Sequence, residues 1–230
     1  MGLDAQFFCF TTCLIKNEAI EHSDYHFERL SNGLKYKNSD PKLLSLLQLK
    51  WSQLKIPLDS PAIRIELWLK QSDLDLRVIS REHSNTLTHV DSIFTQDLYP
   101  SCLKSPVLLG READKLFYDE GGVLELGAAN IFFVLQESVI TPKLRDGILD
   151  GITRKLVIKE LKKSGIEVEQ RSVKLEEISD FDFAFGTNSL KGAYLLKSID
   201  KIEFKEFLVW NRIKTLLKHL GETNVENDNG

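Results

Sequence analysis

The sequence predicts an α+β protein with two lobes, a small N-terminal α/β lobe over residues 1–100 and a C-terminal lobe over residues 101–221. In the second half, strand-like and helix-like segments are segregated instead of alternating, which is typical of α+β folds. Residues 84–102 have weak periodicity and many Ser, Thr and Asp residues, so we predict a domain boundary near the end of this stretch. The 230 residues, 42% of them hydrophobic, fit one large domain or two small ones. The polar, acidic segment 222–230 is predicted to be a disordered tail.

The first lobe is predicted to contain three strands and two helices. Residues 7–15 are rich in aromatic and β-branched side chains, which favours a buried strand followed by a turn at Asn17 and Glu18. A helix is expected over residues 22–35. Asp40 and Pro41 supply a cap and a first-turn proline for a second helix over residues 43–54. Two further strands are expected, over residues 62–69 and 76–79.

The second lobe is predicted to contain an antiparallel β meander and helices. Short, evenly spaced apolar segments with glycine-containing or polar turns predict four strands, over residues 116–118, 123–126, 130–135 and 139–140. Apolar residues at i, i+3 and i+4 predict an amphipathic helix over residues 146–164, which ends before Gly165. The remaining elements are two strands over residues 166–173 and 181–185 and a closing helix over residues 205–220.

The charge, cysteine content and apolar segments exclude several classes of protein. The chain has 30 Lys and Arg against 34 Asp and Glu, a net charge of −4, whereas nucleic-acid binding needs clustered cations. Three cysteines are sparse and odd in number, which favours a reducing compartment. The apolar run at residues 7–15 is too short to span a bilayer and lacks a positively charged flank. We therefore predict a cytoplasmic protein with neither a nucleic-acid nor a membrane partner.

Common catalytic and metal-binding patterns are absent from the sequence. His22 and His26 are spaced at i, i+4 and could share a helix face, but no third ligand is evident, so we predict no metal site and interpret the pair as solvated or capping. The sequence contains no G-x-S-x-G elbow, no Walker loop and no G-x-G-x-x-G.

Residues 146–154 suggest an anion-binding helix start. Gly151 would allow close backbone approach, the first N–H groups of the helix point outward, and the hydroxyl of Thr153 adds a donor. The same spacing also fits a loop followed by an ordinary amphipathic helix. The residues by themselves leave both interpretations open.

Five motifs occur in order along the chain. They are Phe10-Thr11-Thr12, His26-Phe27-Glu28-Arg29-Leu30, Glu125 with Ala129-Asn130-Ile131-Phe132, Thr141-Pro142 with Leu149-Asp150-Gly151-Ile152-Thr153-Arg154, and Thr187-Asn188-Ser189-Leu190-Lys191-Gly192. Together they resemble the class IV pyridoxal-phosphate (PLP) aminotransferases, the family that contains branched-chain and D-amino acid aminotransferases and aminodeoxychorismate lyase. The resemblance extends from about Phe7 to Asp200.

The resemblance implies a role for each of seven residues. Lys104 would form a Schiff base with the PLP aldehyde and move the α-proton of the substrate, and Glu125 would hold the pyridine nitrogen protonated. Arg29, Ile152, Thr153 and Ser189 would bind the phosphate, and Leu149 would pack against the cofactor ring. Without the motifs, four of these residues have simpler interpretations: Lys104 as a surface lysine, Glu125 as a solvent-facing strand residue, Arg29 as an exposed helix arginine and Leu149 as a core leucine.

The sequence also departs from the family pattern. Thr11 stands where the early strand usually has glutamate. Only 21 positions separate Lys104 from Glu125, fewer than is usual by two or three helical turns, and Arg111-Glu112-Ala113 resembles part of a shortened helix.

The resemblance as a whole implies a PLP-dependent homodimer that acts on a small-molecule amino substrate. The activity would be that of a 4-amino-4-deoxychorismate lyase or a class IV aminotransferase, and the T-N-S-L-x-G loop favours the lyase. The alternative is a non-catalytic relative that serves as a binding or interaction protein.

Overall fold

The computed structural model describes residues 6–37, 40–57, 59–70, 72–82, 88–204 and 208–220. The chain forms two compact units. The first comprises Met1–Asn85, Leu98–Arg111 and Arg145–Leu149, and the second comprises Thr86–Asp97, Glu112–Leu144 and Asp150–Gly230. Both units are discontinuous in sequence, whereas the lobes predicted above are continuous stretches, and that division of the chain stays a prediction.

The first unit is a four-stranded antiparallel sheet with two helices packed on it. The strands are β1 (Gln6–Lys16), β2 (Ala19–Ile20), β3 (Ala62–Leu69) and β4 (Leu74–Arg81), in the order β2-β1-β3-β4. The helices α1 (Ser23–Lys37) and α2 (Pro41–Ser52) contribute leucines to the core, as do apolar residues of β1 and β3. All five predicted elements of this unit are confirmed.

Local chemistry explains where two of these elements begin and end. The Asp40 carboxylate accepts a hydrogen bond from the backbone N–H of Lys42 at 2.9 Å, and Pro41 occupies the first turn of α2. This is the predicted helix cap. Asn17 and Glu18 both have positive φ angles, which turns the chain from β1 into β2.

The second unit contains two five-stranded sheets. One has the order β14-β13-β5-β6-β7, formed by β5 (His89–Phe94), β6 (Lys115–Asp119), β7 (Gly122–Leu126), β13 (Ser198–Ile199) and β14 (Ile202–Glu203). The other has the order β10-β9-β8-β11-β12, formed by β8 (Asn130–Leu135), β9 (Ser138–Pro142), β10 (Val168–Arg171), β11 (Phe183–Asn188) and β12 (Gly192–Leu196). Helices α3 (Ile152–Lys163) and α4 (Leu208–Leu217) complete the unit.

The four strands predicted to form one antiparallel meander lie in two different sheets. Strand β6 pairs with β7 and β8 pairs with β9, both antiparallel, but the β7–β8 connection passes from one sheet to the other. Strand pairs β5–β6 and β9–β10 are parallel. The meander prediction is therefore wrong, because apolar spacing encodes burial and not the choice of partner strand. Strand β5 was not predicted, because only one of its six residues is buried and the segment therefore lacks the apolar alternation of a half-buried strand.

Helix α3 begins six residues later than predicted. Gly147 has a φ of +88°, a left-handed conformation that a helix cannot pass through, and its N–H donates to the carbonyl of Tyr99 at 2.8 Å. Residues 146–151 therefore form a loop, and Gly151 is the N-cap. In the segment between Lys104 and Glu125, a short 3₁₀ helix covers Pro106–Gly110, whereas residues 111–113 are not helical.

At the C-terminus, the predicted closing helix is confirmed in part. Helix α4 spans Leu208–Leu217 and one 3₁₀ turn follows at Lys218–Leu220, whereas residues 205–207 and the predicted tail at 222–230 lie outside the described residues. In the part of the chain that the structure describes, no helix combines the length and apolar character needed to cross a membrane.

Candidate functional site

Glu125 lies on β7, whose five residues are all buried. Its side chain is 4% exposed, so it is not the solvent-facing strand residue of the simpler interpretation. The amide of Asn130, at the start of β8, donates from Nδ2 to Glu125 Oε2 at 3.1 Å. A carboxylate at this depth is costly unless donors or cations face it. The Asn130 amide supplies one such donor.

The start of α3 has the composition of an anion-binding site. Gly151 caps the helix without a side-chain hydrogen bond, so the first N–H groups must find other acceptors. Ile152 and Thr153 are each 3% exposed, and the Thr153 hydroxyl lies 3.5 Å from the hydroxyl of Ser189. The first turn of α3 and the loop after β11 thus bring two hydroxyl groups to one place.

Thr187, on β11 two residues before Ser189, adds a third hydroxyl to which the motifs assign no role. It is 1% exposed, and its Oγ1 has no hydrogen-bond partner among the described residues. Thr187 is paired with Asn130 across β11 and β8, so the two side chains share a sheet face. A buried hydroxyl without a partner is costly, so Thr187 Oγ1 is a candidate hydrogen-bonding group for a ligand.

Arg154 links the first turn of α3 to strands β9 and β10. It is 2% exposed and donates from Nη2 to the carbonyl of Pro142 and to Gln170 Oε1, both at 3.0 Å. Burial lowers the pKa of its guanidinium, and the nearby carboxylates of Asp150 and Glu125 oppose that shift. Because β9 and β10 carry its partners, Arg154 fixes the helix start against the sheet.

In the first unit, Lys104 is held against strand β1. Its carbonyl accepts a hydrogen bond from the N–H of Phe10 at 3.0 Å, and its ammonium lies 4.8 Å from the centre of the Phe10 ring. The side chain is half-buried, so Lys104 is not simply a surface lysine. The backbone hydrogen bond fixes the position of the Lys104 main chain, while rotation about the four-carbon side chain lets the ammonium move.

Arg29 lies on the buried face of α1. It is 8% exposed, which excludes the interpretation as an exposed helix arginine. Its neighbour His26 is 2% exposed and hydrogen-bonds through Nδ1 to the hydroxyl of Thr11. Burial lowers the pKa of His26 well below its usual value, and the positive charges of Arg29 and Lys104 lower it further. His26 is therefore neutral beside two cations.

The pairing of Thr11 with His26 was not predicted. The sequence favours a solvated or capping pair for His22 and His26, but His26 is buried and its Nδ1 is hydrogen-bonded to Thr11. The two residues belong to different motifs, and only the packing of α1 on β1 brings them together. Within the described ranges, no group of three or more His, Cys, Asp or Glu residues could hold a metal ion.

The seven predicted site residues divide between the two units. The second unit contains Glu125, Ile152, Thr153 and Ser189, and the first contains Arg29, Lys104 and the half-buried Leu149. The structure brings Thr153 and Ser189 together, and it places Arg29 and Lys104 around His26. The functional roles of all seven residues stay predictions.

Comparison with known proteins gives a family match that falls mostly in the second unit. The family described as "Amino-transferase class IV" matches residues 110–199. The protein named "Probable branched-chain-amino-acid aminotransferase" of Rickettsia bellii is 36% identical over 115 residues, which are 47% of this chain and 39% of that protein. A relative with the same name from Thermotoga maritima is 40% identical over 86 residues, 37% of this chain and 32% of that protein. The chain thus spans at most about two fifths of the length of these two relatives.

Solved structures match nearly the whole chain. A branched-chain aminotransferase from Thermoproteus uzoniensis, determined with norvaline, superimposes with a TM-score of 0.74 and 19% identity, covering 93% of this chain and 84% of that one. An aminotransferase from Brucella abortus bound to PLP gives a TM-score of 0.70 and 20% identity, covering 90% and 86%. A 4-amino-4-deoxychorismate lyase from Pseudomonas aeruginosa gives 0.72 and 16%, covering 94% and 90%.

The two units together define an α+β protein with the class IV aminotransferase fold, as the sequence predicted. The resemblance to the class IV aminotransferase family, which the five motifs indicate, is confirmed by the match over residues 110–199 and by the relatives.

Proposed function

We propose that this protein binds PLP and catalyses a reaction on a small molecule that carries an amino group. The observation that supports this most strongly is the buried Glu125 carboxylate in the same compact unit as the Thr187 hydroxyl, which has no partner among the described residues, and the start of α3, whose N-cap makes no side-chain hydrogen bond. PLP carries a phosphate and a basic pyridine nitrogen, and these groups match an anion-binding helix start and a buried carboxylate.

In this proposal the residues of the second unit hold the pyridine nitrogen and the phosphate of PLP. When bound, PLP supplies an electron sink that accepts the negative charge developed at the substrate carbon. Glu125 holds the proton on the pyridine nitrogen. The N–H groups of Ile152 and Thr153 and the hydroxyls of Thr153, Ser189 and Thr187 donate to the phosphate.

Three tasks fall to residues of the first unit. By the resemblance, Arg29 would add a positive charge for the phosphate, and Leu149 would supply an apolar contact for the ring. Lys104 would hold the cofactor through its amino group, and its Nζ would accept and return the substrate proton.

The absorption spectrum of the purified protein tests this proposal directly. After mixing with PLP and gel filtration, we expect a retained visible absorption band of the protein-bound cofactor at one equivalent per chain. A protein that retains no PLP under these conditions would favour the alternative, a non-catalytic relative that binds other partners.

The specific reaction is a separate proposal. We favour 4-amino-4-deoxychorismate cleavage because Thr187-Asn188-Ser189-Leu190-Lys191-Gly192 resembles the lyase loop, although two relatives described above are named as branched-chain aminotransferases. Parallel assays decide between the two: cleavage of 4-amino-4-deoxychorismate, and amino transfer from leucine, isoleucine or valine to a 2-oxo acid. We expect turnover in the first assay and at most slow transfer in the second.

Replacing Arg29 by alanine is expected to weaken PLP binding. Losing a charge-assisted hydrogen bond costs about 1.5–3 kcal/mol, or roughly 10- to 150-fold in affinity. The dissociation constant, measured by fluorescence titration, checks this expectation. Arg81→Ala, at an exposed arginine at the end of β4, is the matched control and should bind PLP as the unsubstituted protein does. Equal affinity in Arg29→Ala would remove Arg29 from the phosphate site.

The protein is also proposed to be a cytoplasmic homodimer, as its cysteine content and its resemblance imply. Cys9 and Cys13 are buried free thiols, and burial raises the pKa of both to about 12, which keeps them protonated. Light scattering at micromolar concentration should give twice the mass of the chain. A monomer at that concentration would contradict the dimer and leave the proposal for PLP untouched.

A further inference from the structure

Asn130 lies between two parts of the second unit that have different proposed tasks. It is the first residue of β8 and is 5% exposed. On one side its Nδ2 donates to Glu125 Oε2 at 3.1 Å. On the other side its amide oxygen lies against the backbone of Gly151, the N-cap of α3. One planar amide therefore touches both the buried carboxylate and the helix start.

The glycine at position 151 is required by space and not by backbone conformation. Its φ of −64° and ψ of 136° are accessible to any residue. A Cβ atom at this position, however, would overlap Asn130 Oδ1 and lie 3.1 Å from Asn130 Cγ. Side-chain atoms do not approach a Cβ so closely, so the Asn130 amide occupies the space that any other residue would fill. Gly151 thus permits the contact that Asn130 makes.

We propose that Asn130 is a positioning residue that sets the Glu125 carboxylate at a fixed place relative to the N–H groups that begin α3. A rigid ligand with an anion at one end and a basic nitrogen elsewhere can engage both sites only if their separation is held constant. Asn130 holds this separation constant, because its amide oxygen packs against Gly151 while its amide nitrogen donates to Glu125. This inference rests on the proposed PLP function and assigns a role to a residue that touches neither end of the cofactor directly.

The test compares PLP with its analogue in which C–H replaces the pyridine nitrogen. Both compounds carry the same phosphate and aldehyde, so the ratio of their dissociation constants reports the Glu125 contact and cancels changes in phosphate binding. The unsubstituted protein is expected to prefer PLP. In Asn130→Ala this preference should fall about five- to tenfold, because the carboxylate loses the donor that orients it.

Gly151→Ala provides a second route to the same effect without altering Asn130 or Glu125 themselves. The added methyl group displaces the Asn130 amide, so the preference for PLP should fall here too. The double variant Asn130→Ala/Gly151→Ala should show the same preference as Asn130→Ala, since both changes act through one group. Additive losses would show that Gly151 acts by another path and would overturn the coupling.

Thr141→Val is the matched control for a lost buried hydrogen bond. Thr141 is 1% exposed on β9 and donates to the carbonyl of Ile131 at 2.8 Å, so its replacement tests general destabilisation of the same sheet. It should leave the preference for PLP unchanged, and thermal unfolding shows that each variant is folded. If Asn130→Ala does not fold, Asn130→Ser takes its place, because the serine side chain is too short for its hydroxyl to reach Glu125.

The outcomes separate this inference from the proposed function. If the unsubstituted protein binds neither compound, the PLP proposal fails and the role of Asn130 fails with it. If it prefers PLP and a folded Asn130→Ala or Asn130→Ser keeps the full preference, the PLP proposal stands and the positioning role is wrong.

Discussion

Replacing Lys104 by alanine is expected to abolish covalent attachment of PLP and to lower the turnover rate by at least about 10³-fold. The loss removes both the amine that binds the aldehyde and the group that carries the proton, and a positioned acid–base group alone contributes about 10²–10⁴-fold. Borohydride reduction of the PLP-loaded protein followed by peptide mapping should place the pyridoxyl label on Lys104. The Lys104→Ala variant should carry none.

Lys115 is the appropriate control because it is the other lysine near this part of the sequence. Its ammonium forms ion pairs with Asp91 at 3.1 Å and Asp114 at 3.9 Å. The hydrogen bond to Asp91, followed by the charge of Asp114, raises the pKa of Lys115, so this amine stays protonated and is a poor nucleophile. Lys115→Ala should therefore retain the label on Lys104. A label on Lys115 in the unsubstituted protein would mean that the shortened segment is aligned wrongly.

Replacing Glu125 by glutamine is expected to lower the turnover rate by about 10²- to 10³-fold, the size of effect seen when one preorganised electrostatic partner is removed from an active site. Glutamine keeps the volume and can still bond to Asn130, but it lacks the negative charge that favours a protonated pyridine nitrogen. Steady-state kinetics measure the loss. The preference for PLP over its C–H analogue should disappear in the same variant.

Glu120→Gln is the matched control for the Glu125 variant. Glu120 is exposed in the turn between β6 and β7, five residues from Glu125 and in the same unit. Its replacement removes the same charge from the surface, where the solvent screens it, and should leave turnover unchanged. A Glu125→Gln protein with full activity would show that the buried carboxylate does not support the chemistry and would leave its burial unexplained.

The sequence predicted local structure well wherever neighbours along the chain decide it. The strand over Ala62–Leu69 was predicted to the residue, since its apolar and β-branched content is a property of the segment itself. The start of α2 followed from Asp40 and Pro41, whose effects reach only a few residues. The candidate site was also found in sequence, because motif order can be compared without knowledge of packing.

Burial and partner choice required the structure. For Arg29 and Glu125 the sequence left open a cofactor-binding role and an ordinary exposed residue, and only the packing of α1 and β7 shows that both are buried. Likewise, Thr11 and His26 lie 15 residues apart in different motifs, and their hydrogen bond depends on how α1 lies on β1.

The sequence by itself determined the fold class and the positions of most helices and strands, and it predicts the residues of a candidate cofactor site. Tertiary structure alone decided that the four predicted meander strands separate into two sheets, that α3 begins at Ile152, and that Gly151 makes room for Asn130. The physical reason is one of range. Backbone preference and apolar periodicity act over a few residues, whereas strand partners and close backbone contacts are chosen by segments far apart in the chain that compete for the same space.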